Sequence, residues 1–118
     1  RIAVLGDMLE IGKYTEEAHR SVGDYAADVA DMLFVVGERA RFIADEAKTR
    51  AIVAHPRRLD TSNVFVFDDP RAAGQKLDII LQEGDLVLVK GSRSIHMEKV
   101  VEEVMAEPEK AETLLVRS

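Results

Sequence analysis

Four short runs of apolar residues, each uninterrupted by a polar side chain, most constrain what this chain can fold into. They occupy residues 2–5, 33–36, 64–67 and 86–89. An alternating pattern would indicate strands with one solvated face, whereas continuous runs are typical of strands buried on both faces of a parallel sheet. The sequence therefore predicts four buried, parallel strands.

Each run is followed by a stretch with the residue spacing of an amphipathic helix. The apolar positions that share a face in the four predicted helices are Ala18, Val22, Tyr25, Ala26 and Val29; Ala40, Ile43, Ala44 and Ala47; Ala73, Leu77, Ile80 and Leu81; and Met97, Val100, Val101, Val104 and Met105. Thr15 is predicted to cap the first helix, and Asp69 with Pro70 to open the third. Strands that alternate with helices predict an α/β domain with an open, mainly parallel sheet and helices on both faces.

Two segments fit this pattern less clearly. Residues 51–63 are irregular and could hold an extra strand around Ile52 and Val53, and residues 114–116 could form a last strand or fray. No linker or internal repeat interrupts the chain, so residues 1–118 are predicted to form one domain. Because the first predicted strand starts at Ile2 with no Met before it, we interpret the chain as part of a longer protein. The alternative is an ordinary chain that lacks its initiator Met or its first residues.

The composition excludes several classes of protein. With 118 residues, 47% of them hydrophobic, the chain can bury a core and does not have the composition of a disordered segment. It has no Cys, which excludes disulfides and thiolate metal sites and suits a reducing cytoplasm. A net charge of -6 argues against nucleic-acid binding. Apolar runs of about five residues are too short for a membrane span or a signal-peptide core.

Polar residues follow each predicted strand, and in open α/β sheets ligands bind beyond the carboxyl ends of the strands. The residues at these positions are Gly6, Asp7 and Met8; Gly37, Glu38 and Arg39; Asp68 and Asp69; and Lys90, Gly91, Ser92, Arg93 and Ser94. This edge combines several acids with three cations, so it suits an anionic or zwitterionic ligand.

The last of these segments is the strongest signal for a binding site. It is predicted to join a strand directly to a helix, with Gly91 allowing close backbone approach and Ser92 or Ser94 capping the helix. The N–H groups of the first helical turn, with Lys90 and Arg93, would then hold a carboxylate or a phosphate. The alternative is a well-capped helix whose cations are solvated.

A second signal is Gly-Asp-Met-Leu-Glu-Ile-Gly at residues 6–12, where two glycines bracket a turn. Asp7 lies at the tip of the first strand and can accept a hydrogen bond from an amine or hydroxyl group of a ligand. In the alternative interpretation, Asp7 and Glu10 accept hydrogen bonds from loop N–H groups.

Several motifs of nucleotide and metal sites are absent from the sequence. Neither the P-loop pattern nor a dinucleotide fingerprint after the first strand occurs. The histidines His19, His55 and His96 are far apart in the chain and lack the spacing of metal ligands. His19 is predicted to pack beneath a loop. Asp68 and Asp69 are predicted to open a helix before the following proline and not to bind Mg²⁺.

Together the two signals resemble a known family. Residues 1–12, Arg-Ile-Ala-Val-Leu-Gly-Asp-Met-Leu-Glu-Ile-Gly, and residues 89–94, Val-Lys-Gly-Ser-Arg-Ser, resemble the C-terminal domain of the Mur ligases, which are related to folylpolyglutamate synthetases. The other matching positions, in the same order and at similar spacing, are His19, Val22-Gly23, Asp31, Val36-Gly37 and Met97-Glu98. The resemblance covers nearly the whole chain. Its departures are Ile11, where Leu is common, and the long, irregular segment at residues 51–63.

The resemblance implies a Rossmann-like fold and a place in a three-domain cytoplasmic enzyme. In the branch of the family whose sequences carry both motifs, the one after the first strand and the one after the fourth, the resemblance implies an enzyme that joins D-Ala-D-Ala to UDP-MurNAc-tripeptide during peptidoglycan precursor synthesis. The first domain of such an enzyme holds the UDP-linked substrate, and the central domain carries the P-loop and most of the ATP and Mg²⁺ site. ATP phosphorylates the terminal carboxylate of the tripeptide. The dipeptide amine then attacks the acyl phosphate, and a tetrahedral intermediate collapses to the amide and phosphate.

The resemblance also implies roles for residues of this chain. Lys90, Gly91, Ser92 and Arg93 match the segment that lines the acceptor side in the family. Asp7 matches an aspartate at the interdomain cleft, and the resemblance places the first and fourth strands near each other. Without its central domain, the chain is expected to be inactive. The alternatives are the same domain of a related amide ligase that adds glutamate or another amino acid, and a non-catalytic Rossmann-like module that binds a nucleotide or a protein partner.

Overall fold

The computed structural model describes residues 1–8, 14–53 and 58–105 and the backbone of residues 114–117. The strands are β1 (Ile2–Gly6), β2 (Met32–Val36), β3 (Val64–Phe67), β4 (Leu86–Lys90) and β5 (Leu114–Arg117). The helices are α1 (Thr15–Val29), α2 (Arg41–Val53), α3 (Pro70–Ile80) and α4 (Glu98–Met105), and 3-10 turns lie at Thr61–Asn63 and Arg93–Ile95. The four predicted strands and the four predicted helices are all present.

The five strands form one parallel sheet in the order β3-β2-β1-β4-β5. In this register Gly6 pairs with Val36 on one side of β1, and Leu5 pairs with Lys90 on the other. The carboxyl ends of β1 and β4 therefore lie side by side, as the family resemblance implies. The predicted fold class is confirmed, and the apolar stretch near the end of the chain forms β5.

Two helices cover each face of the sheet. On one face, α1 and α2 pack through small residues such as Ala27 and Ala47 against Leu33 and Val35. On the other face, α3 and α4 pack against Val4, Phe34 and neighbouring apolar side chains. Phe34 is fully buried, and the centroid of its ring lies 5.1 Å from that of Phe65 and 5.8 Å from that of Phe67. The sheet thus separates two apolar clusters, one on each face of the central strands β1 and β2.

Burial on both faces is confirmed for β2 but not for β3 and β4. Val66 and Leu88 are 37% and 36% exposed. In β4 the exposed Leu88 alternates with Val87 and Val89, which face α3 and α4. Successive side chains of a strand point to opposite faces, so Leu88 lies on the side of α1 and α2, whose buried residues pack on β1, β2 and β3 instead. The prediction of burial on both faces was wrong for this strand, because an apolar run in the sequence does not show which helix covers each face.

The buried face of α1 also differs from the prediction. Tyr25 is 69% exposed, whereas His19, Gly23, Ala26 and Ala27 are buried. A Cβ atom on Gly23 would collide with the carbonyl oxygen of Ile43. The helix is therefore rotated so that its smallest residues face α2, which allows the two backbones to approach closely. Thr15 begins the helix and does not cap it, since Tyr14 occupies the N-cap position.

The other helices agree better with their predicted faces. Ala40, Ile43, Ala44 and Ala47 are all buried, as are Ala73, Leu77, Leu81, Met97, Val100 and Val104. Met105, by contrast, is 46% exposed. Asp69 and Pro70 do open α3, although the Asp69 side chain makes no capping hydrogen bond.

Ile52 and Val53 form the exposed end of α2, so the extra strand predicted there is wrong. Within the described part of the chain, no helix has the length and apolar character needed to cross a membrane.

Candidate functional site

The predicted site residues lie at the carboxyl edge of the sheet, where β1 and β4 end together. The backbone N–H of Ser92 donates a hydrogen bond to the carbonyl oxygen of Asp7 at 2.9 Å. This bond ties the segment after β4 to the end of β1. A Cβ atom on Gly91 would lie 2.7 Å from Cγ of Met97 and 3.2 Å from Cα of Gly6, so the close approach requires glycine.

A cavity of about 620 Å³ opens at this edge. Its lining includes four of the five residues predicted to follow the fourth strand, together with His96 and Glu98, which the sequence did not single out as a site. The lining residues are Val89, Lys90, Gly91, Ser92, Arg93, His96, Met97 and Glu98. Lys90 and Arg93 are both exposed and bring two positive charges to the cavity. Their predicted role in substrate binding stays a prediction, and the geometry that it requires is present.

The path from β4 to α4 is less direct than predicted. The 3-10 turn Arg93–Ile95 comes first, His96 follows in the left-handed conformation with φ of 58°, and α4 begins only at Glu98. The Ser92 side chain makes no capping hydrogen bond, and Ser94 lies inside the 3-10 turn. Neither serine caps α4, so the predicted cap is wrong. The anion site predicted at this segment stays a prediction.

Asp7 is buried, with 3% of its surface exposed, and its side chain faces the start of α2. One carboxylate oxygen accepts a hydrogen bond from the backbone N–H of Ala40 at 2.6 Å, and the other lies 3.9 Å from Nη1 of Arg39. Asp7 therefore holds the loop between β2 and α2 in place. These contacts match the interpretation in which Asp7 accepts a hydrogen bond from a loop N–H group. The loop is the one between β2 and α2, however, and not the turn that follows Asp7 in the sequence. Its role in substrate binding stays a prediction, and residues 9–12 of the same motif lie outside the described residues.

Gly37 allows this carboxylate to reach the loop. Its φ is 111°, and a Cβ atom there would overlap the Asp7 carboxylate. Its N–H donates to the carbonyl oxygen of Phe67 at 2.9 Å, which anchors the turn to β3. The sequence signal for this arrangement is Gly37 directly after a predicted strand, because a glycine there permits a positive φ.

The remaining charged residues of the edge form a separate group at the ends of β2 and β3. Nη2 of Arg41 donates to Oδ1 of Asp68 at 2.8 Å, and this hydrogen bond raises the pKa of the Arg41 guanidinium above its ordinary value. Asp68 is thereby engaged with a cation. In the described ranges, no group of three or more His, Asp or Glu side chains could hold a metal ion.

His19 packs beneath the end of β1, as predicted. It is fully buried, and its Nε2 accepts a hydrogen bond from the backbone N–H of Met8 at 3.0 Å. Its Nδ1 lies 2.6 Å from the carbonyl oxygen of Thr15 and donates to it in the tautomer that both contacts require. The ring thus joins α1 to the residue next to Asp7. His55 lies outside the described residues.

Comparison with known proteins finds similar sequences and similar folds. The family model for the Mur ligase, glutamate ligase domain, matches residues 1–93. The chain is 28% identical to the UDP-N-acetylmuramoyl-tripeptide–D-alanyl-D-alanine ligase of Bacillus subtilis (strain 168), over 92% of this chain and 22% of that protein. It is 33% identical to the ligase of the same name from Synechocystis, over 91% of this chain and 22% of that protein. The ligase of that name from Escherichia coli (strain K12) is also 33% identical, over 86% of this chain and 20% of that protein.

Two crystal structures of MurF from Acinetobacter baumannii share the fold. They superpose with TM-scores of 0.69 and 0.68 at 23% and 22% identity, covering 90% and 91% of this chain. In both cases this chain covers 22% of the MurF chain. The chain therefore spans about a fifth of the length of the curated relatives that it matches. Since the family model matches most of its residues, this chain belongs to the Mur ligase family, in which it corresponds to the glutamate ligase domain.

Proposed function

We propose that residues 1–118 are the acceptor-binding C-terminal domain of an ATP-dependent, cytoplasmic ligase that joins D-Ala-D-Ala to UDP-MurNAc-tripeptide in peptidoglycan precursor synthesis. The observation that carries the proposal is the cavity at the ends of β1 and β4, where Lys90 and Arg93 supply two cations. The names of the relatives supply the reaction. The other domains of the enzyme are then the partners of this one.

The cavity suits the carboxylate end of a dipeptide. A carboxylate between an ammonium and a guanidinium group gains charge-assisted hydrogen bonds, which are stronger than neutral ones. An acceptor held there by its carboxylate would keep its amine free to react. Holding the acceptor in one orientation converts part of a bimolecular reaction into an intramolecular one, which is the contribution expected from this domain.

ATP and Mg²⁺ are assigned to the rest of the enzyme. The sequence lacks a P-loop, and the described residues hold no cluster of metal ligands. Two acidic groups of this edge are also engaged, because Asp7 bonds to Ala40 and Asp68 bonds to Arg41. The described residues therefore do not fit a Mg²⁺ site, and the role proposed for this chain is to bind and orient the acceptor.

The 118-residue chain alone is expected to show no ATP turnover, because the groups that stabilise charge in phosphoryl transfer lie elsewhere. The full-length enzyme that contains it is expected to release ADP and form the pentapeptide only when ATP, UDP-MurNAc-tripeptide and D-Ala-D-Ala are all present. Both are measured by coupled ADP release and mass spectrometry of the product. ATP turnover by the purified chain would contradict the proposal. So would a full-length enzyme whose ADP release does not depend on D-Ala-D-Ala.

In the full-length enzyme, Lys90→Ala and Arg93→Ala are each expected to raise the KM for D-Ala-D-Ala about ten- to a hundred-fold, the cost of one lost charge-assisted contact. The KM for ATP should change little. Arg71→Ala is the matched control, because Arg71 pairs with Glu102 and Glu103 between α3 and α4 and does not line the cavity. If only the KM for ATP rises, the two cations face the nucleotide instead.

The description of the matched family domain favours a second candidate, a ligase that adds glutamate or another single amino acid. The same two cations could hold the α-carboxylate of an amino acid. A panel of acceptors at equal concentration separates the candidates. The first predicts a clear preference for D-Ala-D-Ala over D-Ala and glutamate, and the second predicts the reverse.

A further inference from the structure

His96 has an unusual backbone conformation at the wall of the cavity. Among the described residues, it is the non-glycine residue with a positive φ, at 58°. Its N–H donates to the carbonyl oxygen of Arg93, and its own carbonyl accepts from the N–H of Lys99, both at 3.0 Å. Histidine adopts this conformation less readily than glycine, and the turn between β4 and α4 places His96 in the cavity wall.

Glu98 orients the His96 ring. Oε1 of Glu98 lies 3.0 Å from Nδ1 of His96, and both residues line the cavity with Lys90 and Arg93. In the neutral tautomer with hydrogen on Nδ1, the ring donates to Glu98, and Nε2 carries a lone pair. A carboxylate that fixes one ring nitrogen while the other acts as a base is a recurring arrangement in enzymes.

The proposed reaction needs such a base. Near neutral pH the amine of a dipeptide is mostly an ammonium ion, since the pKa of an α-amino group is about 8. It has no lone pair for attack until a proton leaves. Resting on the proposed function, we propose that Nε2 of His96, oriented by Glu98, takes this proton from the D-Ala-D-Ala ammonium group.

The bonds of the step balance without another reactant. An N–H bond of the ammonium breaks and its proton passes to Nε2. The freed nitrogen lone pair forms the C–N bond to the acyl phosphate carbon, and the C=O π pair moves to the oxygen. The carbonyl then re-forms as the C–O bond to phosphate breaks, phosphate leaves with its electron pair, and the departing phosphate takes the second proton from the attacking nitrogen. The negative charge of Glu98 stabilises the imidazolium that forms, as a carboxylate partner does for other catalytic histidines.

The charged groups that line the cavity with His96 come from β4, the 3-10 turn and α4. Lys90 at the end of β4 and Arg93 in the 3-10 turn bring two cations to this cavity. When the carboxylate of the acceptor binds to them, their charge is offset. Glu98, on the first turn of α4, then stands as the nearest counter-charge to the imidazolium.

The test uses the full-length ligase and separates its two chemical steps. Trapping with hydroxylamine measures acyl phosphate formation, and a rapid-mixing assay measures its reaction with D-Ala-D-Ala. His96→Asn removes the base but keeps a residue that tolerates positive φ. It is expected to slow the second step about a hundred-fold near pH 7, with acyl phosphate formation unchanged. The loss should shrink near pH 9, where the amine deprotonates unaided, and added imidazole should restore part of the rate.

Matched variants test whether the slower second step of His96→Asn has only a structural cause. Glu98→Gln keeps a hydrogen-bonding side chain but loses the charge, and it should slow the second step less than His96→Asn does. Glu102→Gln makes the same change on the exposed part of α4, outside the cavity, and should have no effect on this step. His96→Gly preserves the turn if asparagine does not, because glycine adopts positive φ without strain.

The outcomes separate the two proposals. A wild-type enzyme that forms no acyl phosphate from UDP-MurNAc-tripeptide overturns the proposed function. An enzyme that forms it, but whose His96→Asn variant reacts with the dipeptide at the wild-type rate, overturns the role of His96 alone. So does a loss that is the same at every pH and is not relieved by imidazole, because it would show that His96 only shapes the turn.

Discussion

Replacing Gly37 with alanine is expected to lower the free energy of unfolding by about 3 kcal/mol, measured by urea denaturation of this chain. Two costs add. Alanine at a φ of 111° is strained, and its Cβ would displace the Asp7 carboxylate from the N–H of Ala40. In the full-length enzyme, the displaced loop between β2 and α2 should also reduce activity.

Gly84 offers a matched control for the first cost. Its φ is 91°, and a Cβ atom there would meet nothing within 4 Å. Gly84→Ala should therefore cost only about 1 kcal/mol, the effect of backbone strain alone. Equal losses for the two variants would show that the contact between Gly37 and Asp7 adds nothing. Asp7→Asn is a useful companion, because its amide oxygen can still accept from Ala40. A purely structural role for Asp7 predicts near-normal activity for this variant.

Replacing His19 with alanine is expected to lower the free energy of unfolding by about 4 kcal/mol, comparable to the loss of another large buried ring. The change empties a fully buried site and leaves the N–H of Met8 without its acceptor. The same denaturation experiment measures it. Amide hydrogen exchange at Met8 should become faster, since this N–H is bonded to the ring in the native protein.

Two further substitutions divide this effect into packing and hydrogen bonding. His19→Leu refills much of the volume but offers no acceptor to Met8, so it should recover only part of the loss. His19→Gln places an oxygen near the position of Nε2 and should recover more. If leucine is the less damaging of the two, packing dominates and the hydrogen bond to Met8 contributes little.

These two predictions concern Gly37 and His19, which contact residues at the end of β1 and so support the candidate site indirectly. Asp7 bonds the start of α2 through its side chain and the segment after β4 through its backbone carbonyl. His19 holds the neighbouring Met8. The residues Gly6, Asp7 and Met8 are thus joined to three other parts of the fold, one of which is the segment after β4 that lines the cavity.

Much of the fold could be predicted from local patterns. The apolar runs identified the strands nearly to the residue, because parallel strands between two helical layers need uninterrupted apolar sequence. Helical spacing located all four helices. The polar residues after β1 and β4 identified the candidate edge, since the topology of α/β sheets brings strand ends together.

The errors arise where one element depends on another. Tyr25 has the spacing of a core residue, yet Gly23 turns α1 away from it to let the backbones of α1 and α2 meet. Leu88 lies in an apolar run but faces the side of the sheet on which α1 and α2 pack over other strands. Which residues of a helix or strand are buried depends on the volumes of the side chains on the element that it faces, and the sequence of one segment does not show these.

The sequence by itself determined the layered α/β architecture, the edge that carries the candidate site and the positive charge of Lys90 and Arg93, because periodicity, turns and charge are local properties. Only the tertiary structure decided where the side chains of that edge point. It turned the carboxylate of Asp7 to the start of α2 and placed a 3-10 turn before α4. It also set His96 and Glu98 together in the cavity wall. The orientation of Asp7 follows from its contact with the loop after β2, whose residues are far from β1 in the chain and meet it only when the sheet has formed.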